Sequence, residues 1–427
     1  MRGWKPFAVL LVLMWTAGTS FAAGFRLPEA GVKAMGMGFA FTAQADDPSA
    51  IYFNPAGLTQ LKGQNVMIGL TYVRENGAEF NGTTPVDNFT AQKSETQKDL
   101  NFYIPNAYYT RTTSSGFAYG IGVFAPFGLG QEYENRNTSI FRNQITEIDL
   151  KTVVVNPTIA FPINDMLSVG MGIDFMWGQA KLAKTPWSPA LGGNLYNLDL
   201  KGDGTTWGYN FGVLVKLMEN LRVGASYRSP FRLEIKEGDV SLNNISPALQ
   251  ASGILGGLTS TKGSATINMP ATFALGVAYT VGRLTVEADG DWTFWSSYKS
   301  LPITIKDPRP PVLVSSNAQK NWEDVVALRV GAEYRVTDPL ALRVGFVYDP
   351  TPVPAATMGP ELPDATRINY MVGAGYKIGP WTIDGALMYI DKFDRTVNNQ
   401  NNATLTGFNG TWTGDAWLAG LDLGYRF

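Results

Sequence analysis

The chain has 427 residues, with 34 Lys+Arg against 36 Asp+Glu and neither Cys nor His. Its net charge of -2 gives no electrostatic case for nucleic-acid binding, and the missing residue types exclude thiol nucleophiles, disulfides, Cys- or His-ligated zinc and any imidazole-based triad. Charged residues are scarce at 16% while aromatics reach 12% and Gly numbers 46; this fits a transmembrane β-barrel, in which apolar residues alternate with polar ones instead of forming long runs.

The N-terminus opens on Arg2 and Lys5, an apolar run from Phe7 to Trp15, and then Ser20-Phe21-Ala22. Positive, apolar and small-residue regions in that order predict a secretory signal peptide over residues 1–22. The run is too short for a membrane anchor helix. The mature chain is expected to begin at Ala23.

Residues 23–62 do not alternate. Gly31 to Ala40 is rich in small residues and reads as flexible. Ala43 to Ala50 suits a short helix, with Asp46-Asp47 ahead of Pro48 as cap and first turn. A second turn is expected at Asn54-Pro55-Ala56-Gly57, since Asn caps and Pro suits the first helical position. Forty residues of this kind are too few to form a free domain, which points to a plug inside a barrel.

From residue 64 onward, period-2 segments recur. Val326, Leu328, Val330, Ala332, Tyr334 and Val336 share one face, and Arg329, Gly331, Glu333 and Arg335 the other. Fourteen strands are predicted, at about 65–75, 102–112, 117–131, 146–162, 166–183, 204–217, 220–236, 264–281, 283–297, 323–336, 339–349, 366–378, 381–394 and 415–427. Connections after even-numbered strands are tight, and those after odd-numbered strands are long and polar. An even strand number with loop length segregated between two rims is the outer-membrane pattern. The last strand alternates from Ala419 to Phe427 and stops on an aromatic.

Hydrocarbon cannot satisfy a backbone, so the sheet must close. The apolar faces then meet lipid, and Asp174, Arg222, Arg228, Glu287, Asp289, Arg329, Glu333 and Arg343 face the lumen. Trp177, Tyr227, Trp292, Tyr348, Trp381, Tyr389 and Tyr425 are candidates for aromatic girdles. Gly170, Gly172, Gly212, Gly224, Gly276, Gly331, Gly345, Gly373 and Gly375 also face inward. They leave room for a plug, or they let the strands curve.

Several stretches resemble one known family. They are Ala23-Gly24-Phe25, the run Ala45 to Thr59 through Asn54-Pro55-Ala56-Gly57, Ala125-Pro126-Phe127-Gly128-Leu129, Tyr227-Arg228-Ser229-Pro230, Met269 to Phe273, Asp291 to Ser296, and Tyr348 to Arg367. In this order they resemble the FadL/TodX family of outer-membrane transporters for long-chain fatty acids and hydrophobic compounds. The resemblance implies a fourteen-stranded antiparallel barrel (residues 63–427) with an N-terminal helical hatch (residues 23–62) centred on Asn54, Pro55 and Ala56. It also implies an inward kink of the third strand at Pro126, Phe127 and Gly128 that makes a lateral opening. Pro126 lacks a ladder donor and Gly128 permits unusual dihedrals, with Asn54 as a partner for the freed backbone; the alternative is that the tripeptide ends strand 3 at the outer rim. The C-terminal Phe427 resembles the signal read by the outer-membrane assembly machinery.

The implied task is passive transfer of an apolar ligand, each buried CH₂ of which is worth about 0.8 kcal/mol. Capture is expected at loop residues Leu242, Ile245, Leu249, Ile254, Leu255 and Leu258, with a lumen pocket beyond and release sideways into outer-membrane lipid. Where the family often has basic residues to hold a carboxylate, this chain has Gln179 and Glu323; Lys181 and Lys320 lie nearby and are the substitutes. The expected partners are therefore a hydrophobic small molecule, lipid and the assembly machinery, with no nucleic acid, no cofactor, no metal and no catalytic residues, and the chain is expected to act as a monomer. The alternative function is a general diffusion porin for small polar solutes, which would show a charged constriction and no plug. A barrel enzyme is disfavoured by the missing His.

Overall fold

The computed structural model describes residues 24–85, 90–398 and 407–427; the expected signal peptide lies outside the described residues. Among these, fourteen antiparallel strands form a closed barrel. They are β1 (Gly63–Glu75), β2 (Leu100–Thr112), β3 (Ala118–Phe124 and Gly128–Glu132), β4 (Glu147–Pro162), β5 (Leu167–Lys184), β6 (Asn197–Met218) and β7 (Leu221–Arg228 and Phe231–Asn243). They continue as β8 (Ser260–Met269 and Thr272–Val281), β9 (Leu284–Thr293), β10 (Val325–Arg335), β11 (Leu340–Asp349), β12 (Arg367–Ile378), β13 (Trp381–Lys392) and β14 (Asp415–Arg426). Closure is made by β1 on β14, from Asn65↔Arg426 to Glu75↔Ala416.

The faces follow the sequence alternation. Leu421 is 59% exposed while the adjacent Asp422 is 1% exposed. Leu421 belongs to the lipid-facing band with Ile173, Val277, Val344 and Val372. Aromatic contacts mark the rims of that band: Trp381–Tyr425 (4.6 Å) and Tyr425–Phe427 (4.7 Å) at the tight-turn end, and Phe175–Trp207 (4.7 Å), Phe273–Trp292 (5.6 Å) and Tyr389–Trp417 (4.6 Å) at the other.

The wall differs from the predicted spans where it breaks. β3, β7 and β8 are interrupted at residues 125–127, 229–230 and 270–271, each break holding a proline that cannot donate to a ladder. Above the wall, Glu79–Thr83, Lys93–Thr96, Arg395–Asn398 and Asn409–Thr413 make a separate four-stranded sheet. Its core is Phe80, Phe141, Phe408 and Trp412, all buried.

The N-terminal segment fills the lumen. Its helices are α1 (Val32–Gly36) and α2 (Ala50–Phe53), followed by a 3₁₀ turn at Pro55–Gln60. The last matches the expected turn, with the Asn54 side chain accepting from the Ala56 N–H at 3.1 Å. The helix expected within 43–50 instead starts at Ala50. The Asp47 carboxylate accepts from both the Ser49 N–H (2.8 Å) and its hydroxyl (2.5 Å), which holds Asp47-Pro48-Ser49 as a turn. The stretch read as flexible contains α1, whose Val32 N–H donates to Asp422 at 2.6 Å.

Candidate functional site

Carboxylates of the wall hold the hatch by its backbone. Asp289 accepts from the Phe41 and Thr42 N–H groups (3.0 Å each), and the neighbouring inward residue Glu287 accepts from Ala43 (2.6 Å) and Gln44 (2.8 Å). The side-chain period of 2 on β9 thus presents two carboxylates to four consecutive amides. On other strands, the Tyr108 hydroxyl donates to the Ala30 carbonyl (2.6 Å), Asn210 to Ile51 (3.0 Å) and Thr112 to Leu58 (3.1 Å).

Seven of the nine inward glycines meet the hatch. A Cβ on Gly170 would strike Pro55, on Gly212 Asn54 and Pro55, on Gly224 Thr42, on Gly331 Met37, on Gly345 Gly38 and on Gly373 Gly36, while one on Gly276 would meet the Asp289 carboxylate first and Thr42 next. Gly172 and Gly375 instead face polar wall side chains, Asn210 with Asn156 and Asp384 with Arg343. A lumen packed in this way opposes the diffusion-porin reading.

Pro126 and Phe127 lie in the break of β3, and Gly128 opens its second segment. β2 pairs with β3 only from Ala107↔Val123 to Thr112↔Ala118. Leu100–Asn106, which include Pro105, have no β3 partner among the described residues, and contact resumes at Gln97↔Tyr133. On the other side, β3 passes from Phe124↔Val154 to Gly128↔Lys151, one residue longer than β4 over the same step, so it bulges. The freed backbone is met by the N-terminus. The Leu27 N–H donates to the Pro126 carbonyl (2.8 Å) and the Gly128 N–H to the Phe25 carbonyl (2.9 Å), around an Arg26↔Phe127 bridge. Phe127 also donates its N–H to Thr152 Oγ1 (3.1 Å).

Asn54 serves another purpose than the kink. Its amide donates to the Thr42 carbonyl (2.7 Å) and to the Val213 carbonyl of β6 (3.0 Å), which ties Asn54 to the wall; Asn54, Pro55 and Ala56 are all buried.

Phe25 lies in an aromatic cage of Trp295 (4.7 Å), Tyr298 (5.5 Å), Trp322 (5.6 Å) and Phe127 (6.1 Å). Gly24 enters it with φ +67°, where a Cβ would come within 2.6 Å of both indoles, so only Gly fits. Beyond Phe25 is a cavity of about 50 Å³, bordered by Leu129, Leu150, Leu182, Ile235, Ile267 and Ile303. That is room for one or two waters, so a hydrocarbon enters only if the lining moves. Phe25, Phe127 and Trp295 lie in stretches that carry the resemblance, but no local pattern joined them as a cage, because its members come from three distant segments.

The remaining sequence candidates sit around this cavity. Leu242 and Leu255 are buried with Leu249 in a loop core that includes Leu200, and Ile245, Ile254 and Leu258 pack against it. Leu182, Leu200 and Ile303 touch both that core and the cavity. Lys181 alternates onto the outer face of β5, and its ammonium bonds both oxygens of Glu147 (2.6 and 2.7 Å). Lys320 is 5% exposed and ion-paired with Glu361.

Two polar cavities of about 30 Å³ each lie against the hatch. One is lined by Arg26, Arg228, Asp291 and Pro126 among others, the second by Glu29, Arg329, Asp349 and Asn369. Both Glu29 carboxyl oxygens are buried without a hydrogen-bond partner. Burial pushes this carboxyl up to about 7, against the opposing pull of Arg367 and Arg329.

Residues 13–427 match the family model described as outer membrane protein transport protein (OMPP1/FadL/TodX). The chain is 24% identical over 457 residues to a long-chain fatty acid transport protein of Escherichia coli, covering 99% of this chain and 98% of that one. A Pseudomonas aeruginosa FadL homologue has the same fold, with a TM-score of 0.83 at 21% identity over 95% of this chain and 100% of its own. The Pseudomonas putida toluene transporter TodX is similar with a TM-score of 0.70 at 17% identity, covering 95% and 100%. The chain belongs to the OMPP1/FadL/TodX family of outer-membrane transport proteins.

Proposed function

We propose that the protein takes up hydrophobic molecules, fatty acids or hydrocarbons, by passive diffusion through the side of its barrel. Family membership makes it an outer-membrane transport protein and not an enzyme. The single observation that carries the route is the break between β2 and β3, where residues 25–27 and not β2 pair with the kink.

The ligand is captured at the loop core around Leu242, Ile245 and Leu255 and passes along Leu182 and Leu200 into the cavity beside Phe25. Movement of the hatch front then joins the cavity to the gap, and the ligand leaves into lipid. An apolar path throughout preserves the gain of about 0.8 kcal/mol per CH₂ that a wet pore would forfeit. The barrel closes on itself and is filled by its own N-terminus, which supports a monomer. The exposed Phe427 is the proposed element for the assembly machinery.

The test is uptake of a labelled hydrophobic probe by cells carrying a variant in which Pro126-Phe127-Gly128 is replaced by Val-Thr-Val, to continue the ladder toward β2. Uptake is expected to be lost while the barrel still assembles; unaltered uptake rejects the lateral route.

A further inference from the structure

β6 and β7 run in register at their two ends and lose it between. The ladder holds from Asn197↔Asn243 to Lys201↔Asp239 and again from Asn210↔Arg228. Across the interval, residues 202–208 have no β7 partner among the described residues. β7 is two residues longer than β6 over this step. Its break at Ser229-Pro230 and a bulge after Ile235 take up the difference. Side chains fill the seam instead. Leu233 and Ile235 are buried, and a Cβ on Gly178 would strike Leu233, on Gly202 Ile235 and on Gly208 Phe231.

The two sides of this seam differ. Inside, Ile235 borders the aliphatic cavity beside Phe25, together with Leu182, Leu200 and Ile267. Outside is an open recess of about 490 Å³ that includes Lys201, Asp203, Thr205, Arg232, Glu234 and Lys236. It stands just beyond the aromatic rim: Thr205 pairs with Trp177 and Trp207 with Phe175, and the Trp177 indole donates to Asp203 at 3.3 Å. That is headgroup depth, where water and polar groups can meet backbone that hydrocarbon could not. The recess holds both signs of charge, with Arg232 already 2.9 Å from Glu234.

We infer that the seam between β6 and β7 is a second side port, through which the tail of a single-chain amphiphile in the outer leaflet enters the cavity while its polar head stays in the recess. The mixed charge of the recess suits an uncharged or zwitterionic head. The tail takes the places of Leu233 and Ile235 and meets the same aliphatic neighbours, so apolar burial is kept. Opening displaces two side chains across residues that share no ladder. It needs no release of the hatch, whereas the kink opens only when residues 25–27 leave it. The inference rests on the cavity being part of the transport path, and it adds an entrance to that path from the membrane.

The test places full-length barrels in phospholipid vesicles with a dodecylphosphocholine that carries a diazirine at its tail end. Crosslinks formed on irradiation are located by peptide mass. Crosslinks to Ile267 and its cavity neighbours are expected, competed away by unlabelled dodecylphosphocholine. Leu233→Ala/Ile235→Ala is expected to raise their yield at limiting probe by about fivefold or more, and Thr205→Trp, which fills the recess from outside, to lower it by about as much. Ile303→Ala enlarges the same cavity from the loop strand beyond β8. That variant, and the Val-Thr-Val replacement at the kink, are expected to stay within about twofold of the native yield. An equal rise in Ile303→Ala, no fall in Thr205→Trp, or loss of the crosslinks in the kink variant would overturn the port and leave the transport reading standing. Absence of cavity crosslinks in every form would take the cavity out of the transport path, and the port with it.

Discussion

Arg26 and Phe127 form an isolated antiparallel bridge, flanked by the hydrogen bonds from the Leu27 N–H to Pro126 and from the Gly128 N–H to Phe25. The N-terminus therefore stands where the ladder between β2 and β3 is interrupted. A short stretch of backbone with two hydrogen bonds is easier to release than a barrel strand. Residues beyond it are held more firmly, since Asp289 and Glu287 grip four successive amides from Phe41 to Gln44.

That grip has a direct consequence. Replacing both carboxyl groups, Asp289→Ala with Glu287→Ala, leaves four buried donors without acceptors, and each buried donor left unsatisfied costs about 1–3 kcal/mol. Amide exchange at Phe41–Gln44 is expected to accelerate by about a hundredfold or more. Exchange in β12 and β13, on other strands, is expected to stay unchanged. Unchanged protection at residues 41–44 would show that the hatch does not depend on the clamp.

The inward glycines make a second expectation. Gly331→Leu would drive a side chain into Met37, and Gly345→Leu into Gly38. Overpacking of this kind costs about 1–3 kcal/mol, and the hatch, not the hydrogen-bonded wall, is the part that can yield. Such barrels are expected to assemble normally but to conduct ions steadily in a planar bilayer, where the native protein is expected to stay closed. The same substitution at Gly385, with only a distant carbonyl near its Cβ, is expected to stay closed.

Glu29 gives the front of the hatch a pH dependence. Burial raises its carboxyl to about 7, with Arg367 and Arg329 pulling down and Asp349 pushing up. A raised carboxyl favours the protonated form in the docked state. Its contribution is complete below the ordinary range near 4.5 and is lost as pH rises through about 7. Asp47 shifts in the same direction, to about 6, through burial. Exchange protection at residues 29–31, corrected for intrinsic rates, is expected to fall between about pH 4.5 and about pH 7. Glu29→Gln is expected to remove the upper part of that fall and leave the part due to Asp47. A profile identical in Glu29→Gln would place the effect elsewhere.

The wall was legible because lipid imposes a strict rule on each strand by itself. Val372 and Gly373 must face opposite ways whatever else folds, so β12 and β13 read cleanly from alternation and a tight turn. The loop sheet was not legible: Glu79 pairs with Thr413, and so distant a partner leaves no turn signal. The lumen charges were placed correctly as inward, yet nothing in the sequence marked Glu287 and Asp289 as holding the N-terminal segment, because their partners are backbone amides that every residue carries. Asn54 was legible as a cap. Its side-chain amide was expected at the kink and bonds Thr42 and Val213 instead, a choice set by how the hatch turns within the lumen. The Phe25 cage required three segments to be brought together, which no local pattern records.

The central claim is that a hydrophobic ligand leaves past residues 25–27 at the β3 kink. Arg26 and Phe127 form the narrow type of antiparallel pair, with Cα atoms about 4.5 Å apart, which suits a disulfide, and the chain has no other Cys. Uptake of a labelled hydrocarbon is therefore measured in Arg26→Cys/Phe127→Cys barrels, oxidised and then reduced. The account expects uptake to fall by about tenfold or more on oxidation and to recover on reduction, because the bond locks the gap. Equal uptake in the oxidised and reduced states would contradict it.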